Sequence, residues 1–252
     1  MPEEWEKKFF EKEEKRRKDE DLLKTVEEVF DTFTLQALYK LINKRVIDVL
    51  YGVVDTGKES RVYWAKSPQG EDLAVKIFLT STREFRKTIL QYIDGDPRFK
   101  RVKRDTRHIV YAWALKEFKN LERAYEAGVR VPKPIAVHKN IIVMTFIGEN
   151  GVPAPLLKNA EISDYEEMFW KIVDNIKALY RKAKIVHADL SEYNIMVWRG
   201  DPVLFDFGQA ILTSHPLAAS FLERDVKNIV NFFAKRGVEV EVKRLLAEIV
   251  GC

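Results

Sequence analysis

Cysteine is almost missing from this sequence: among its 252 residues the only one is Cys252. A lone thiol excludes an intrachain disulfide and a cysteine-ligated metal, and makes a reducing, cytoplasmic setting the expectation. Long apolar runs are missing too. No stretch approaches the roughly 18 residues of a membrane-spanning helix, and the N-terminus alternates acids and bases instead of offering a charged tip and an apolar stretch. No membrane partner is expected. There is little excess of either charge: 43 Lys and Arg stand against 39 Asp and Glu, and the net +4 does not by itself mark a nucleic-acid binder. Internal repeats and low-complexity tracts are absent. What remains, 46% hydrophobic and 33% charged, suffices for one large core or two modest lobes sharing a cleft.

Residues 3–24 are nearly all charged with signs interspersed, which reads as a solvated helix or arm. From Val26 to Val49 apolar residues recur at helical spacing, so residues 1–45 are expected to form an N-terminal helical extension. Strands are predicted at Val46–Val54, Arg61–Lys66 and Asp72–Phe78, separated by turn signals at Thr56-Gly57-Lys58 and Ser67-Pro68-Gln69-Gly70, as in an antiparallel meander. A polar interval from Leu79 to Arg107 precedes a helix over Ile109–Ala127 that Gly128 stops. Ile135–Val137 and Ile141–Phe146 suit a hairpin, and Gly148 to Pro155 reads as a linker between lobes. Beyond it come a buried helix over Ser163–Ala183 with Ser163 as N-cap, the pair Ile185–Val186, and helices near Pro216–Arg236 and Glu239–Ile249. The fold class expected is α+β in two lobes: 46–147, carrying the sheet, and 148–252, mostly helical.

Three acceptors in the stretch 187–209 stand at a spacing suited to phosphoryl transfer. That reaction needs cations near the phosphates and a group orienting the nucleophile. Asp189 follows the apolar pair Ile185–Val186 and can point into a cleft as a base; Asn194 supplies a neutral oxygen suited to magnesium. Asp206 leaves the short run Val203-Leu204-Phe205 beside Gly208 and is the expected principal metal ligand. Upstream, Lys76 lies inside Leu73-Ala74-Val75-Lys76-Ile77, and an ammonium buried there needs an anion. Nucleotide phosphates and a helix carboxylate would serve. Glu117 shares a helical face with Trp113 and Leu121 and is the expected partner, with Glu122 and Glu126 as the other candidates. Between two strands, Thr56-Gly57-Lys58-Glu59-Ser60 can cover phosphates with backbone N–H groups, aided by the side chains of Lys58 and Ser60.

These strings, Thr56 to Tyr63, Ala74-Val75-Lys76-Ile77, His187-Ala188-Asp189-Leu190-Ser191-Glu192-Tyr193-Asn194 and Phe205-Asp206-Phe207-Gly208-Gln209, resemble the RIO family of atypical kinases and ATPases, over about residues 46–245. The short front favours its Rio1 type over the Rio2 type, whose members carry a winged-helix domain there. The resemblance implies a trimmed two-lobe protein-kinase-like fold and Mg-ATP-dependent phosphoryl transfer to Ser or Thr, including autophosphorylation. It implies ATP as cofactor with Mg2+, Mn2+ being a substitute. Lys76 would pair with Glu117, Asp189 would be the catalytic aspartate, and Asn194 and Asp206 would hold the metal. The nucleotide would further contact Thr56 through Ser60, Val62, Met144, Thr145, Ile147, Ser191 and Glu192, with Met144 to Ile147 as the hinge. The family likeness also points to the small ribosomal subunit precursor and its rRNA as partner, and to Asp206 as a phosphate acceptor in an ATPase cycle.

Departures from ordinary protein kinases accompany the matches. Ala188 stands where an arginine commonly receives an activation-loop phosphate, and Ser191 where a lysine approaches the γ-phosphate. After Gln209 there is no Ala-Pro-Glu string and too little chain for the usual peptide-binding helices. The interval between Thr80 and Arg107 carries Arg83, Arg86, Lys87, Arg98, Lys100, Arg101, Lys103, Arg104 and Arg107, which would either contact rRNA phosphates or remain a solvated loop; Ser81, Thr82, Thr88 and Thr106 are its candidate autophosphorylation sites. Two competing readings are a small-molecule kinase of the aminoglycoside or choline kind and a pseudoenzyme. The first needs a long acceptor-binding insertion after the hinge, which 148–163 is too short to supply; the second sits badly with Lys76, Asp189, Asn194 and Asp206.

Overall fold

A computed structural model describes residues 30–80, 103 and 105–251. The charged arm over 3–24 lies outside the described residues, as does nearly all of the basic interval after Thr80. The first described helix, α1 (Thr32–Asn43), is capped by Asp31, whose carboxylate accepts the Thr34 N–H at 2.7 Å and the Thr80 hydroxyl at 2.9 Å.

Five antiparallel strands follow: β1 (Val49–Thr56), β2 (Ser60–Lys66), β3 (Asp72–Phe78), β4 (Pro134–His138) and β5 (Ile141–Thr145), in the order β1-β2-β3-β5-β4. β3 is central and buried on both faces. Its period of two decides where each side chain goes. Leu73, Val75 and Ile77 join Ala37, Leu38 and Leu41 of α1 in one apolar cluster. Ala74, Lys76 and Phe78 take the other face, where a second cluster and the cleft lie. The first strand begins later than its apolar pattern predicts, at Val49, and Ile47 is buried against α1 instead.

Helix α2 (Thr106–Glu126) joins β3 to β4. Asp105 caps it, accepting the His108 N–H at 3.1 Å, and Gly128 with φ +79° closes its far end as predicted. The segment from Gly148 to Pro155, expected as a linker, contains a small antiparallel pair, β6 (Gly148–Glu149) with β7 (Val152–Pro153). Helix α3 (Tyr165–Ala178) is capped by Asp164, not by Ser163: the Asp164 carboxylate accepts the Glu167 N–H at 2.9 Å. A π-helical turn over Leu179–Ala183 and the left-handed Lys184, φ 56°, lead into β8 (Ile185–Val186). Two further strands, β9 (Ile195–Trp198) and β10 (Asp201–Leu204), form a hairpin, while β11 (Ile211–Leu212) pairs with β8. The described chain ends with α4 (Ala218–Ala234) and α5 (Val242–Val250). One apolar core runs from Phe78 and Val110 through Phe169, Ile172, Leu204 and Phe207 to Val226, Phe233 and Ile249, so α2 is anchored to the helical half while it backs the sheet.

Candidate active site

Lys76 emerges from the cleft-facing side of β3, and its ammonium is met by two carboxylates: Glu117 Oε1 at 2.7 Å and Asp206 Oδ1 at 3.0 Å. Glu117 is thus the helix partner, as expected, whereas Glu122 pairs with Lys119 on the same helix. Burial alone would strip the proton from Lys76, but Asp206 and Glu117 outweigh it and hold the ammonium well above its ordinary range. Burial pushes the Glu117 carboxyl up, against the pull of Lys76, and its second oxygen is buried without a hydrogen-bond partner. For Asp206 burial also acts upward, but the Lys76 ammonium prevails and keeps the carboxyl below its usual range.

Asp206 adopts the left-handed region, φ 63°, just beyond β10. The backbone after it is fixed by α2. Lys116, almost fully buried, donates to the Gly208 carbonyl at 2.7 Å and lies 4.6 Å from the Trp113 ring. Asn120 donates from one amide nitrogen to the carbonyls of Phe207 at 3.0 Å and Ala210 at 2.8 Å. Phe207 is buried in the core against His187, ring centroids 4.8 Å apart, and His187 reaches the Phe205 carbonyl through Nε2 at 3.0 Å. Burial lowers the His187 pKa, so this imidazole is a neutral strut.

Asp189 sits on a loop that α4 holds from beneath. The Asp225 carboxylate accepts the N–H groups of Ala188 at 2.8 Å and Leu190 at 3.0 Å, and Asn228 donates to the Leu190 carbonyl at 3.0 Å. Arg224 donates to the Ala188 carbonyl, and Ala188 itself is left-handed at φ 64°. Residues 188 to 190 therefore stand in a fixed arch with Asp189 at its top. Its carboxylate accepts from Asn194 Nδ2 at 3.3 Å and Gln209 Nε2 at 3.2 Å, while Asn194 Nδ2 also donates to the Asp189 carbonyl at 2.7 Å. Burial and then the neighbouring Asp206 raise the Asp189 pKa.

The cleft beside Lys76 encloses about 810 Å³, its open mouth included. Gly57, Ser60 and Val62, the hinge residues Met144, Thr145 and Ile147, and Lys76, Glu117 and Asp206 all line it, with Ala74 and Met196 adding apolar surface. Thr56, at the end of β1, and Lys58 and Glu59, in the turn after it, do not line this cleft. The Gly57 N–H already donates to the Ser60 carbonyl at 3.0 Å, closing the turn on itself. Glu59 is half-buried, and burial and Asp206 raise its pKa; a carboxylate so placed suits a cation better than a phosphate. Ser191 and Glu192 line a separate groove that includes Asp189.

Among the described residues no three His, Cys, Asp or Glu side chains group as a metal site. The donor set is instead one carboxylate, Asp206, whose side chain is 47% exposed, and one amide, Asn194, whose nitrogen is turned to Asp189. With Nδ2 so engaged, the amide oxygen is available for a cation. A hard ion taking the rest of its shell from phosphates and water fits these two donors; a fully protein-ligated ion does not.

A model of the RIO domain matches residues 61–245. The chain belongs to the RIO family. It is similar to the RIO-type serine/threonine-protein kinase Rio1 of Methanocaldococcus jannaschii, 42% identical over 98% of this chain and 83% of that protein. To the Haloferax volcanii protein of the same name it is 40% identical, over 94% and 81%. The human serine/threonine-protein kinase RIO1 is 37% identical over 93% of this chain, which spans 42% of that longer protein. The Rio2 kinase of Chaetomium thermophilum shares the fold, with a TM-score of 0.63 at 23% identity over 85% of this chain and 65% of that one. This chain is accordingly an atypical RIO kinase of the Rio1 type, with the α+β kinase-like fold.

Sequence reasoning did not single out Lys116, Asn120, Gln209 or Asp225. A signal existed for three of them. Lys116 and Asn120 flank Glu117 on the buried stripe with Trp113 and Leu121, and Asp225 interrupts the stripe of Leu222, Val226 and Ile229. A polar residue on an apolar helix face implies a specific acceptor or donor.

Proposed function

We propose that the cleft binds Mg-ATP and that the chain transfers the γ-phosphoryl group to a serine or threonine hydroxyl of a protein. The observation that carries this reading is the three-way contact of Lys76 with Glu117 and Asp206, an ammonium kept charged where phosphates would lie. Residues 46–147 serve as the nucleotide-binding lobe and 148–252 as the lobe bearing Asp189. Thr145 uses its N–H on the Lys133 carbonyl and Ile147 its carbonyl on the Ala154 N–H, so an adenine edge would read the Thr145 carbonyl and the Ile147 N–H. Asn194 and Asp206 would hold the magnesium, which supplies charge neutralisation at the phosphates; Mn2+ has the same oxygen preference.

Asp189, oriented by Asn194 and Gln209, aligns the acceptor hydroxyl and takes its proton as the acceptor oxygen bonds to the γ-phosphorus. The bond from that phosphorus to the β,γ-bridging oxygen breaks, and ADP leaves. A second reading, ATP hydrolysis, is favoured by the exposed and ionised Asp206. There an Asp206 oxygen attacks the γ-phosphorus, ADP departs, and water cleaves the acyl phosphate; the Chaetomium Rio2 complex contains a phosphoaspartate. By family likeness the setting is cytoplasmic maturation of the small ribosomal subunit precursor, in contact with its rRNA.

Incubation with γ-labelled ATP and magnesium, alone and with small-subunit precursors, separates these routes. Acid-stable label on Ser or Thr, lost in Asp189→Ala with nucleotide binding kept, is the expected kinase result. Hydroxylamine-sensitive label lost in Asp206→Asn would give the ATPase cycle first place. Bound ATP with no turnover at all would sink both.

A further inference from the structure

Asp189 belongs to the wall of a second concavity, apart from the nucleotide cleft. This groove encloses about 1070 Å³ and runs from the loop before β9 to the C-terminal end of α4. Three cationic side chains border it: Lys158, Lys235 and Arg236. Lys158 is exposed, its ammonium 4.4 Å from the centroid of the exposed Tyr193 ring. Lys235 is exposed as well. Arg236 is held in place, stacked 3.6 Å from the Phe232 ring centroid and donating to the Phe232 carbonyl at 2.8 Å.

Elsewhere in the helical half Lys171 pairs with Glu167 and Asp201, Lys177 with Asp174 and Glu248, and Lys227 with Glu223, while Arg181 and Arg224 are spent on backbone carbonyls. Among the described residues none of the three groove cations is in an ion pair. Glu192 is the one acid of the groove besides Asp189, and Asp189 is already engaged by Asn194 and Gln209. The rim is therefore positive where a substrate approaching Asp189 would lie, with an exposed aromatic ring beside it.

We propose that this groove receives the acceptor segment of the protein substrate, and that the segment is acidic: a serine or threonine with Asp or Glu among its near neighbours. The inference rests on the kinase reading above, in which Asp189 aligns the acceptor hydroxyl. Carboxylates of the segment pair with Lys158, Lys235 and Arg236, and its backbone passes Tyr193. The C-terminal end of α4 thus supplies the positive rim along which the segment lies.

The test uses the full chain, γ-labelled ATP and matched serine peptides differing only in flanking residues, acidic, neutral or basic. Exposed pairs are individually weak, and three compound to roughly 10-fold in kcat/KM for the acidic over the neutral peptide, fading as salt rises. The double variant Lys158→Glu with Lys235→Glu is expected to reverse the order of acidic and basic peptides, and Lys158→Ala with Lys235→Ala to flatten it. ATP consumption without peptide stays unchanged in both, and melting curves confirm folding. Equal kcat/KM for all peptides, or the same preference in folded variants, overturns the inference while leaving the kinase reading standing. Absence of label on any Ser or Thr, in peptides or chain, overturns that reading and the inference together. An RNA oligonucleotide that binds the parent but not the charge-reversed variant, with no acidic preference among peptides, would give the groove to RNA and overturn the proposal.

Discussion

The ammonium of Lys76 and the carboxylate of Glu117 meet at 2.7 Å although 41 residues separate them in sequence, and both are buried. A buried pair with a third member, Asp206, is costly to break from the cationic side. Lys76→Met leaves the buried Glu117 carboxyl without its cation, and is expected to cost about 3–5 kcal/mol of stability and to abolish turnover. Glu117→Gln keeps the shape and leaves Lys76 on Asp206 alone. Its expected signature is a roughly 100-fold fall in phosphate transfer, of the size seen when a positioned electrostatic group is lost, with a much smaller shift in melting temperature. Label transfer and calorimetry read the two effects separately. Unimpaired transfer in Glu117→Gln would deny the pair a role in placing Lys76.

The contacts of Lys116 and Asn120 make a second prediction. They hold the backbone at Phe207, Gly208 and Ala210, beyond the left-handed Asp206, and so fix where its carboxylate stands. Lys116→Met leaves the Gly208 carbonyl without that donor, at an expected cost of about 1–3 kcal/mol. At roughly 2–4 °C per kcal/mol this is visible in a melting curve. If the clamp positions Asp206, the magnesium concentration for half-maximal turnover also rises, by roughly 3- to 10-fold, a displacement of about 1 kcal/mol in the metal's favour being lost. A stability loss with unchanged magnesium dependence would make Lys116 structural only. Asn120→Leu should follow the same pattern.

Lys76 and Glu117 were legible in the sequence because a charge on an apolar strand and a charge on an apolar helix face each demand a partner, and each was the other's best candidate. Asp206 as the third member was not, since nothing local says that a carboxylate beyond β10, on a residue with φ 63°, turns back toward β3. Ser163 offered itself as N-cap, yet Asp164, one residue on, captured the Glu167 N–H. Both types cap well, and only the backbone angle decides between them. The loop 56–60 read as a phosphate cover by its glycine and position, but the turn consumes the Gly57 N–H internally.

Gly151 supplies a third prediction, remote from the chemistry. It lies between β6 and β7 at φ 80°, and a Cβ there would stand 2.8 Å from the Trp64 ring. Trp64 cannot yield easily, because it stacks on Tyr51 at 4.2 Å and its indole N–H donates to Asp72 at 2.5 Å. Gly151→Ala therefore combines a left-handed alanine with a clash. An expected loss of about 1–3 kcal/mol follows. Since Pro153 of β7 and Ile147, just before β6, line the cleft, weakened ATP binding should accompany it. A variant melting with the parent would mean that the small hairpin is not seated on Trp64.

The last prediction concerns pH and Asp225. Burial raises the Asp225 carboxyl from 3.8 to about 7, against the N–H donations from Leu190 and Ala188. An acid whose pKa is raised on folding binds a proton in the native chain that the unfolded chain has already released. Between about pH 4 and 7 the native state thus carries the extra proton, and stability falls as pH rises through that window. Asp225→Asn retains one acceptor for the two N–H groups and loses this titration. It is expected to be less stable than the parent by about 1–3 kcal/mol near pH 5, where the parent is favoured. Its deficit shrinks toward pH 8, where the parent must bury a charge. Urea unfolding at pH 5, 6.5 and 8 measures the difference directly. A deficit that grows with pH would show the opposite linkage, an ionised carboxylate stabilising the arch under Asp189, and would place the folded pKa below the unfolded one.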